Sequence, residues 1–399
     1  MAREAGVKKK EKGLKVTQFV GRFSPTPQVF IYDFILALSD EIPLTRVCTL
    51  ERVNETTRKF DCVDVLPVRP ENEGGFSTRV RSYFRILRFN RAWGRYLQQQ
   101  KPQVVHVQFA GNLIPVVSEC FRQKIPVVVT LRGYDASARL RDPRWCKAAE
   151  AAFSKVSAIA GVSRDILKRV EPIIPPHIPT HVIHTGRSID QYSPSTVSEE
   201  VKTILTVGRL VHKKGHDDAI RAFALLVESG FKGELRIAGD GPELGFLTEL
   251  VRTLGIERRV KFLGELAAAE VRTEYRTADV FVLPSKTGPN GDMEGIPNAL
   301  KEAMLSGLPV VSTWHGGIPE LVPAEMHDWL VAEGDYVALA ARLKLMVEAG
   351  RLDRSRWAQI NRAAVIAEFD LAGEVASYVR LYEELVAGRD ESYSARLLT

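Results

Sequence analysis

From Leu14 onward the chain alternates short runs of β-branched and apolar residues with longer segments whose apolar positions recur at helical spacing. LKVTQFV opens the pattern and a helical stretch over 29–38 follows; VVHV at 104–107 precedes a second over 113–122, and VVVT fills 127–130. A period of two that keeps giving way to a period of 3.6 marks βαβ units, in which helices cover both faces of a parallel sheet. At 191–200, QYSPSTVSEE is polar and rich in Ser, the composition of a linker. The alternation then restarts with TILTVG (203–208), a helix over 216–229, LRIAG (235–239), a helix over 242–254 and VKFLG (260–264). It continues with a helix over 268–277, DVFVLPS (279–285), a helix over 297–306 and LPVVST (308–313). The pattern predicts two doubly wound α/β domains, 1–192 and 193–370, facing a central cleft at the carboxyl ends of their strands. A tail over 371–399 opens with an amphipathic helix, apolar at Val375, Val379, Leu381, Tyr382 and Leu385, and is expected to return to the first domain.

Composition narrows the class without changing this picture. The chain has 399 residues, 45% of them hydrophobic and 26% charged, with mean hydropathy −0.09, which excludes collagen, coiled coil and extensive disorder. Its net charge of +6 is unevenly placed: residues 1–200 carry 31 basic and 20 acidic side chains, residues 201–399 carry 24 and 29. Four cysteines (Cys48, Cys62, Cys120, Cys146) fall in no metal-binding spacing. The charged start MAREAGVKKKEKG lacks the apolar stretch of a signal peptide, and no apolar segment approaches the length of about 18 residues that a membrane span needs. A cytoplasmic protein, neither exported nor membrane-spanning, is the expectation.

The chemistry concentrates in PSKTGPNGDMEGIPNALKEAMLSGLPVVSTWHGGIPELV, from Pro284 to Val322. A strand delivers the chain into a Gly-rich loop, Pro297 suits the first turn of the next helix, and free amides near Asn298 and Ala299 form an anion site. Glu294 precedes that helix and Glu302 lies inside it. The pair resembles a glycosidase's acid and nucleophile, but positive potential at a helix start favours ionised carboxylates, which bind hydroxyls better than they donate protons. In TVGRLVHKKGHD, Arg209 and Lys214 follow a strand end, and cations there can neutralise a diphosphate.

These residues carry a resemblance. The chain is similar to the family 4 retaining glycosyltransferases with the GT-B fold, whose hallmark is two glutamates separated by seven residues, here Glu294 and Glu302 in EGIPNALKEAMLSGLPVV, followed by GGIPELV. GRLVHKKG (208–215), AGDGP (238–242) and ADVFVLPS (278–285) fall in the expected order, so the likeness covers nearly all of the second half. FSPTPQVFIYDFI, LRGYDAS and GVS match more loosely and look like the exopolysaccharide and colanic-acid subgroup. The resemblance implies a hexosyltransferase acting with retention on a nucleotide-diphosphate sugar of UDP or GDP type, with no metal and no cofactor. It implies that Arg209 and Lys214 stabilise the leaving diphosphate, Glu294 holds the sugar hydroxyls, and Glu302 holds the ribose. Gly295, Ile296, Pro297, Asn298 and Leu263 line the donor. The acceptor is a glycan, a lipid-linked chain or a small molecule.

Three departures stand on the acceptor side: Arg132 where the family has His before Gly-Tyr-Asp, Gly186-Arg187-Ser188 for Gly-Val-Asp, and Gly21-Arg22-Phe23 for a Gly-Gly pair in the first loop. Gly21, Arg132 and Arg187 are therefore acceptor-side candidates, and the two arginines fit an anionic substrate. The runner-up reading is a GT-B-shaped binding or regulatory protein that has lost transfer. GDGPELG (239–245), with Glu265 some way on, leaves an NAD-dependent dehydrogenase as a third reading, although Pro242 and a tight turn explain its glycines. Asp292-Met-Glu294 is a poor metal motif, and His106 and His315 read as strand-end histidines. Along 78–97, Arg81, Arg85, Arg88, Arg91 and Arg95 share one helical face opposite Tyr83, Ile86, Phe89, Trp93 and Leu97. With KKKEKGLK that face fits an anionic membrane surface, or else an ordinary helix with its apolar side in the core. No nucleic-acid-binding pattern is present.

Overall fold

The computed structural model describes residues 13–25, 28–66 and 78–397, with the side chains of 78–86 and 389–397 left out. Its strands are β1 (Lys15–Phe23), β2 (Leu44–Arg52), β3 (Val63–Val65), β4 (Val104–Gln108), β5 (Val127–Leu131), β6 (Ala158–Gly161), β7 (Thr180–Val182), β8 (Thr203–Val207), β9 (Glu234–Ala238), β10 (Val260–Gly264), β11 (Val280–Leu283), β12 (Val310–Thr313) and β13 (Leu330–Val331). The helices are α1 (Val29–Glu41), α2 (Thr78–Gln100), α3 (Ala110–Arg122), α4 (Pro143–Phe153), α5 (Arg164–Val170), α6 (His216–Glu228), α7 (Leu244–Thr253), α8 (Ala268–Thr277), α9 (Asn298–Leu305), α10 (Ile318–Leu321), α11 (Tyr336–Glu348), α12 (Arg351–Glu368) and α13 (Leu371–Leu397).

One sheet runs β3-β2-β1-β4-β5-β6-β7 and the other β10-β9-β8-β11-β12-β13. Pairings β1–β2, β1–β4, β2–β3 and β6–β7 are parallel, as is every pairing in the second sheet. Counted from its own first strand, the second sheet has the order 3-2-1-4-5-6 of a Rossmann-like fold. The fold is thus the double α/β architecture that the hydrophobic pattern predicts. In the second sheet the winding reverses between β8 and β11, which opens a crevice outside their carboxyl ends.

The chain divides into two compact units, Met1–Val129 with Lys155–Ala158 and Val375–Thr399, and Thr130–Ser154 with Ile159–Glu374. In the first unit, Phe19 of β1 meets Phe89 and Trp93 of α2 edge-on, with centroids 6.4 and 5.2 Å away. Trp93 also stacks on Tyr96 at 5.4 Å and donates to the Val116 carbonyl. Tyr378 and Tyr382 of α13 pack on His106, where the Tyr382 hydroxyl lies 2.6 Å from His106 Nδ1 and accepts from Gln18 Nε2 at 3.3 Å. The α13 stripe differs from the expected one: Glu374 and Tyr378 are buried, whereas Val379 and Leu385 are half-buried. The steps 374/375, 378 and 381/382 keep one face of a 3.6-residue helix, and Val379 and Leu385 fall at its edge.

The second unit encloses β8 to β13, with Ile204, Leu205, Ile237, Phe281, Val282 and Val311 fully buried. Local chemistry sets its helix starts. Ser163 accepts from Ile166 N–H at the start of α5, and Asp335 accepts from Ala338 N–H at the start of α11. Pro297 caps α9 from just outside, one residue earlier than the first-turn position that the sequence suggests.

Candidate functional site at the switch point of the second sheet

Two loops leave the carboxyl ends of β8 and β11, the strands at the reversal. The first, after β8, turns through Gly215 at φ 67°, a left-handed conformation that an L side chain rarely adopts; a Cβ there would also strike the Pro284 carbonyl. This close approach clamps the lysine-bearing turn to the end of β11, and Lys286 N–H donates to the Lys213 carbonyl at 2.9 Å. The second loop runs from Pro284 to Pro297. The β12 loop backs it, with Gly317 N–H donating to the Gly295 carbonyl at 2.7 Å and Glu294 N–H to His315 Nε2 at 3.0 Å. Because Nε2 accepts, the His315 proton sits on Nδ1, 2.6 Å from Glu333 Oε1. Glu333 in turn accepts from Thr287 N–H at 2.7 Å. Met293 N–H donates to Ser137 Oγ at 3.2 Å, so the segment after β5 buttresses the same loop.

The loops bring charge together. Lys214 Nζ stands 3.2 Å and Lys213 Nζ 3.5 Å from Glu294 Oε1, and Lys213 also lies 3.1 Å from Asp292 Oδ2. The Glu294 side chain is only 12% exposed. Burial alone would raise its pKa, but the two lysines, Lys214 foremost, outweigh it and hold the carboxyl at about 2. Glu294 is therefore ionised, as the sequence suggests, although its counter-ions are lysines. His216, fully buried below Lys214, is pushed down to about 4 by burial and that neighbour and stays neutral. Lys301 N–H makes the first helical bond of α9, to the Pro297 carbonyl, which leaves the amides of Asn298, Ala299 and Leu300 without helical acceptors. Asn298 Oδ1 is buried without a partner. On the approach to α9, Gly295 and Pro297 are buried and Ile296 and Asn298 half-buried; Leu263 is half-buried at the end of β10, and the Arg209 side chain is exposed just after β8.

Glu302 has company that the sequence did not announce. Its Oε1 accepts from Arg187 Nη2 at 2.6 Å and its Oε2 from the Tyr275 hydroxyl at 3.3 Å. Arg187 also donates to the Tyr192 hydroxyl at 3.1 Å. Arg132 Nη1 donates to Thr185 Oγ1 at 2.6 Å, and the wholly buried Lys301 donates to the Thr185 carbonyl at 2.6 Å. The two acceptor-side arginines are only 6% and 8% exposed. This corrects the expectation that they await an anionic substrate: their guanidiniums serve Thr185, Glu302 and Tyr192. Glu374 completes the buried group, accepting from Gly186 N–H at 2.8 Å. Burial pushes the Glu374 carboxyl up and the Lys301 ammonium down.

The remaining expectations divide. Gly21 lies within β1, not in a loop after it, and Arg22 forms an exposed pair with Glu51 at 3.2 Å. Two glycines of GDGPELG have a structural cause, since Cβ atoms on Gly239 and Gly241 would strike the Gly208 and Leu210 carbonyls. That crowding, without any dinucleotide, explains Gly239 and Gly241, whereas Gly245 has open space around it. His106 is a buried partner of Tyr382. On α2, Arg88, Arg91 and Arg95 are exposed while Phe89, Trp93 and Leu97 are buried, so the apolar face belongs to the core. The side chains of Arg81, Arg85, Tyr83 and Ile86, and the segment KKKEK, lie outside the described residues. Sequence reasoning missed Lys213, although it adjoins Lys214, and Glu333, which no local pattern marks. Among the described residues no helix is long and apolar enough to cross a membrane.

Two parallel Rossmann-like sheets and a lysine-paired glutamate at a switch point define a class, and family models match it in tandem: Glycosyltransferase Family 4 over residues 44–191 and Glycosyl transferases group 1 over residues 189–364. The chain belongs to these glycosyltransferases. It is 46% identical over 164 residues to the putative colanic acid biosynthesis glycosyltransferase WcaL of Escherichia coli, covering 41% of this chain and 40% of that one. It is 43% identical over 167 residues to the amylovoran biosynthesis glycosyltransferase AmsK of Erwinia amylovora, covering 42% and 41%. The matched stretch thus spans about two fifths of these relatives. Among solved structures, Anabaena HepE in complex with UDP-glucose superposes with a TM-score of 0.75 at 18% identity, over 93% of this chain and all of that one. Sucrose-phosphate synthase from Thermosynechococcus elongatus gives 0.73, also at 18%, over 94% and 100%. These likenesses establish the GT-B fold.

Proposed function

We propose that the protein transfers a hexose from a nucleoside-diphosphate sugar, of UDP or GDP type, to a glycan or lipid-linked acceptor in polysaccharide assembly, with retention and without a metal. One observation carries this reading: two lysines meet a glutamate that is ionised at neutral pH, four residues before the α9 amides that lack helical acceptors, at the reversal of a doubly wound sheet. The leaving diphosphate takes Lys213, Lys214 and the α9 amides, with Arg209 closing from the exposed side. The carboxylate so released accepts sugar hydroxyls, and Glu302, held by Arg187 and Tyr275, accepts from the ribose. Charge developing on the departing oxygen is stabilised by groups already in place. Lys213 occupies the space between Asp292 and Glu294, so an ammonium supplies the positive charge there. A lipid-linked acceptor would meet the exposed arginines of α2 by electrostatics alone, and sedimentation with anionic but not neutral liposomes is the expected sign. The deciding assay incubates the protein with UDP-, GDP- and ADP-sugars in EDTA and follows nucleoside diphosphate release. Release that falls with Glu294→Ala supports the reading. No release from any donor favours a binding protein that has lost transfer, for which the capture of Glu302 by Arg187 is the motive.

A further inference from the structure

A cavity of about 240 Å³ lies against α8 and shares no lining residue with the lysine-paired glutamate. Arg272 and Arg276 line it one turn apart, and Tyr192, Ser193 and Ser306 line it too. No carboxylate is in the lining, and neither arginine has an ion-pair partner within 4 Å among the described residues. Two other arginines of this unit are neutralised: Arg236 pairs with Glu234 and Glu274, and Arg252 pairs with Glu249. Two unneutralised guanidiniums in one concavity, flanked by hydroxyls, favour an oxyanion, because planar N–H forks match phosphate oxygens. The Tyr192 hydroxyl oxygen already accepts from Arg187, so its proton remains to be donated. Burial pushes that phenol up to about 12, which keeps the proton in place.

The lining also reaches Glu302 by two routes. Tyr192 bonds Arg187, which bonds Glu302 Oε1, while Ser306 Oγ donates to the Glu302 carbonyl at 2.8 Å. We infer that this cavity is a second anion site, taking inorganic phosphate or a small phosphate monoester, and that its occupancy alters donor binding through Tyr192, Arg187 and Glu302. The binding part stands on the cavity alone; the coupling part rests on the proposed role of Glu302.

The test removes the competing phosphate site first, with Lys213→Gln/Lys214→Gln as background. Thermal unfolding is followed while inorganic phosphate, or separately glucose 6-phosphate, replaces chloride at matched ionic strength. The expected result is a ligand-dependent rise in Tm whose apparent affinity falls at least tenfold when Arg272→Gln/Arg276→Gln is added. A response to phosphate alone identifies the free ion; a stronger response to the sugar phosphate identifies the monoester. No rise in the background protein, or a rise indifferent to the arginine substitutions, overturns the site. In the otherwise wild-type enzyme, saturating phosphate should change the donor KM at least threefold, and Arg272→Gln/Arg276→Gln should abolish the change. Binding with an unaltered KM overturns the coupling. An enzyme that turns over no donor sinks the transferase reading and leaves the binding result intact.

Discussion

Replacing Glu294 by Gln removes a carboxylate that sits 3.2 and 3.5 Å from two lysine nitrogens while keeping its shape. Its pKa of about 2, against about 4.5 in an unfolded chain, means the folded protein prefers the ionised form by about 3 kcal/mol, at 1.36 kcal/mol per unit. A depressed pKa contributes stability that is full above the unfolded value and is lost as pH falls toward the folded one. By linkage, the contribution should shrink by about 1 kcal/mol at pH 4 and about 2 kcal/mol at pH 3. Glu294→Gln should therefore cost about 2–3 kcal/mol at pH 7, where it leaves two ammonium groups facing an amide, and much less at pH 3. Urea unfolding followed by tryptophan fluorescence at pH 7, 4 and 3 measures both arms. If wild type and variant lose stability in parallel between pH 7 and pH 3, the lysines do not hold this carboxylate and the electrostatic account of the site is wrong.

Further outcomes follow from single contacts. Lys214→Ala should lower turnover at saturating donor about 10²–10³-fold in the diphosphate-release assay, with Lys214→Arg retaining more. Gly215→Ala should destabilise by at least about 1–2 kcal/mol from the left-handed conformation, with the encounter with the Pro284 carbonyl adding to it, as read by denaturant midpoint. Tyr382→Phe should cost about 1–3 kcal/mol, because it strips a buried partner from both His106 and Gln18; unchanged stability would mean that α13 is not held there.

The long strands and helices of the second sheet were legible because each alternation of period is local. The helices over 216–229, 268–277 and 297–306 come within a residue or two of α6, α8 and α9. Strands of two or three residues escaped: β3, β7 and β13 are edge strands too short to carry a period. Alternation in β2 was hidden by Arg46, whose charge is satisfied by Asp64 on the neighbouring strand at 2.9 Å. At the site, sequence named the glutamates and Lys214 because the loops that carry them are continuous. It misplaced Arg187 because the carboxylate that claims it lies far along the chain, and an arginine's partner leaves no mark on its own neighbours. The same holds for Glu374, which reads as a polar position on an amphipathic helix until its acceptance from Gly186 N–H is seen.

The lysine pair proposed to take the diphosphate already has an anion, and that anion is the chain's own Glu294. Arrival of a ligand is then an ion exchange, in which the newcomer must outbid a tethered carboxylate a few ångströms away. A monovalent anion gains little from that swap, whereas a diphosphate presents several charges at once. Under the proposed transfer, Glu294 would act as a threshold that screens out the small anions of the surrounding salt. The same displacement would free it to accept hydroxyls at the moment the proposed donor sugar is delivered.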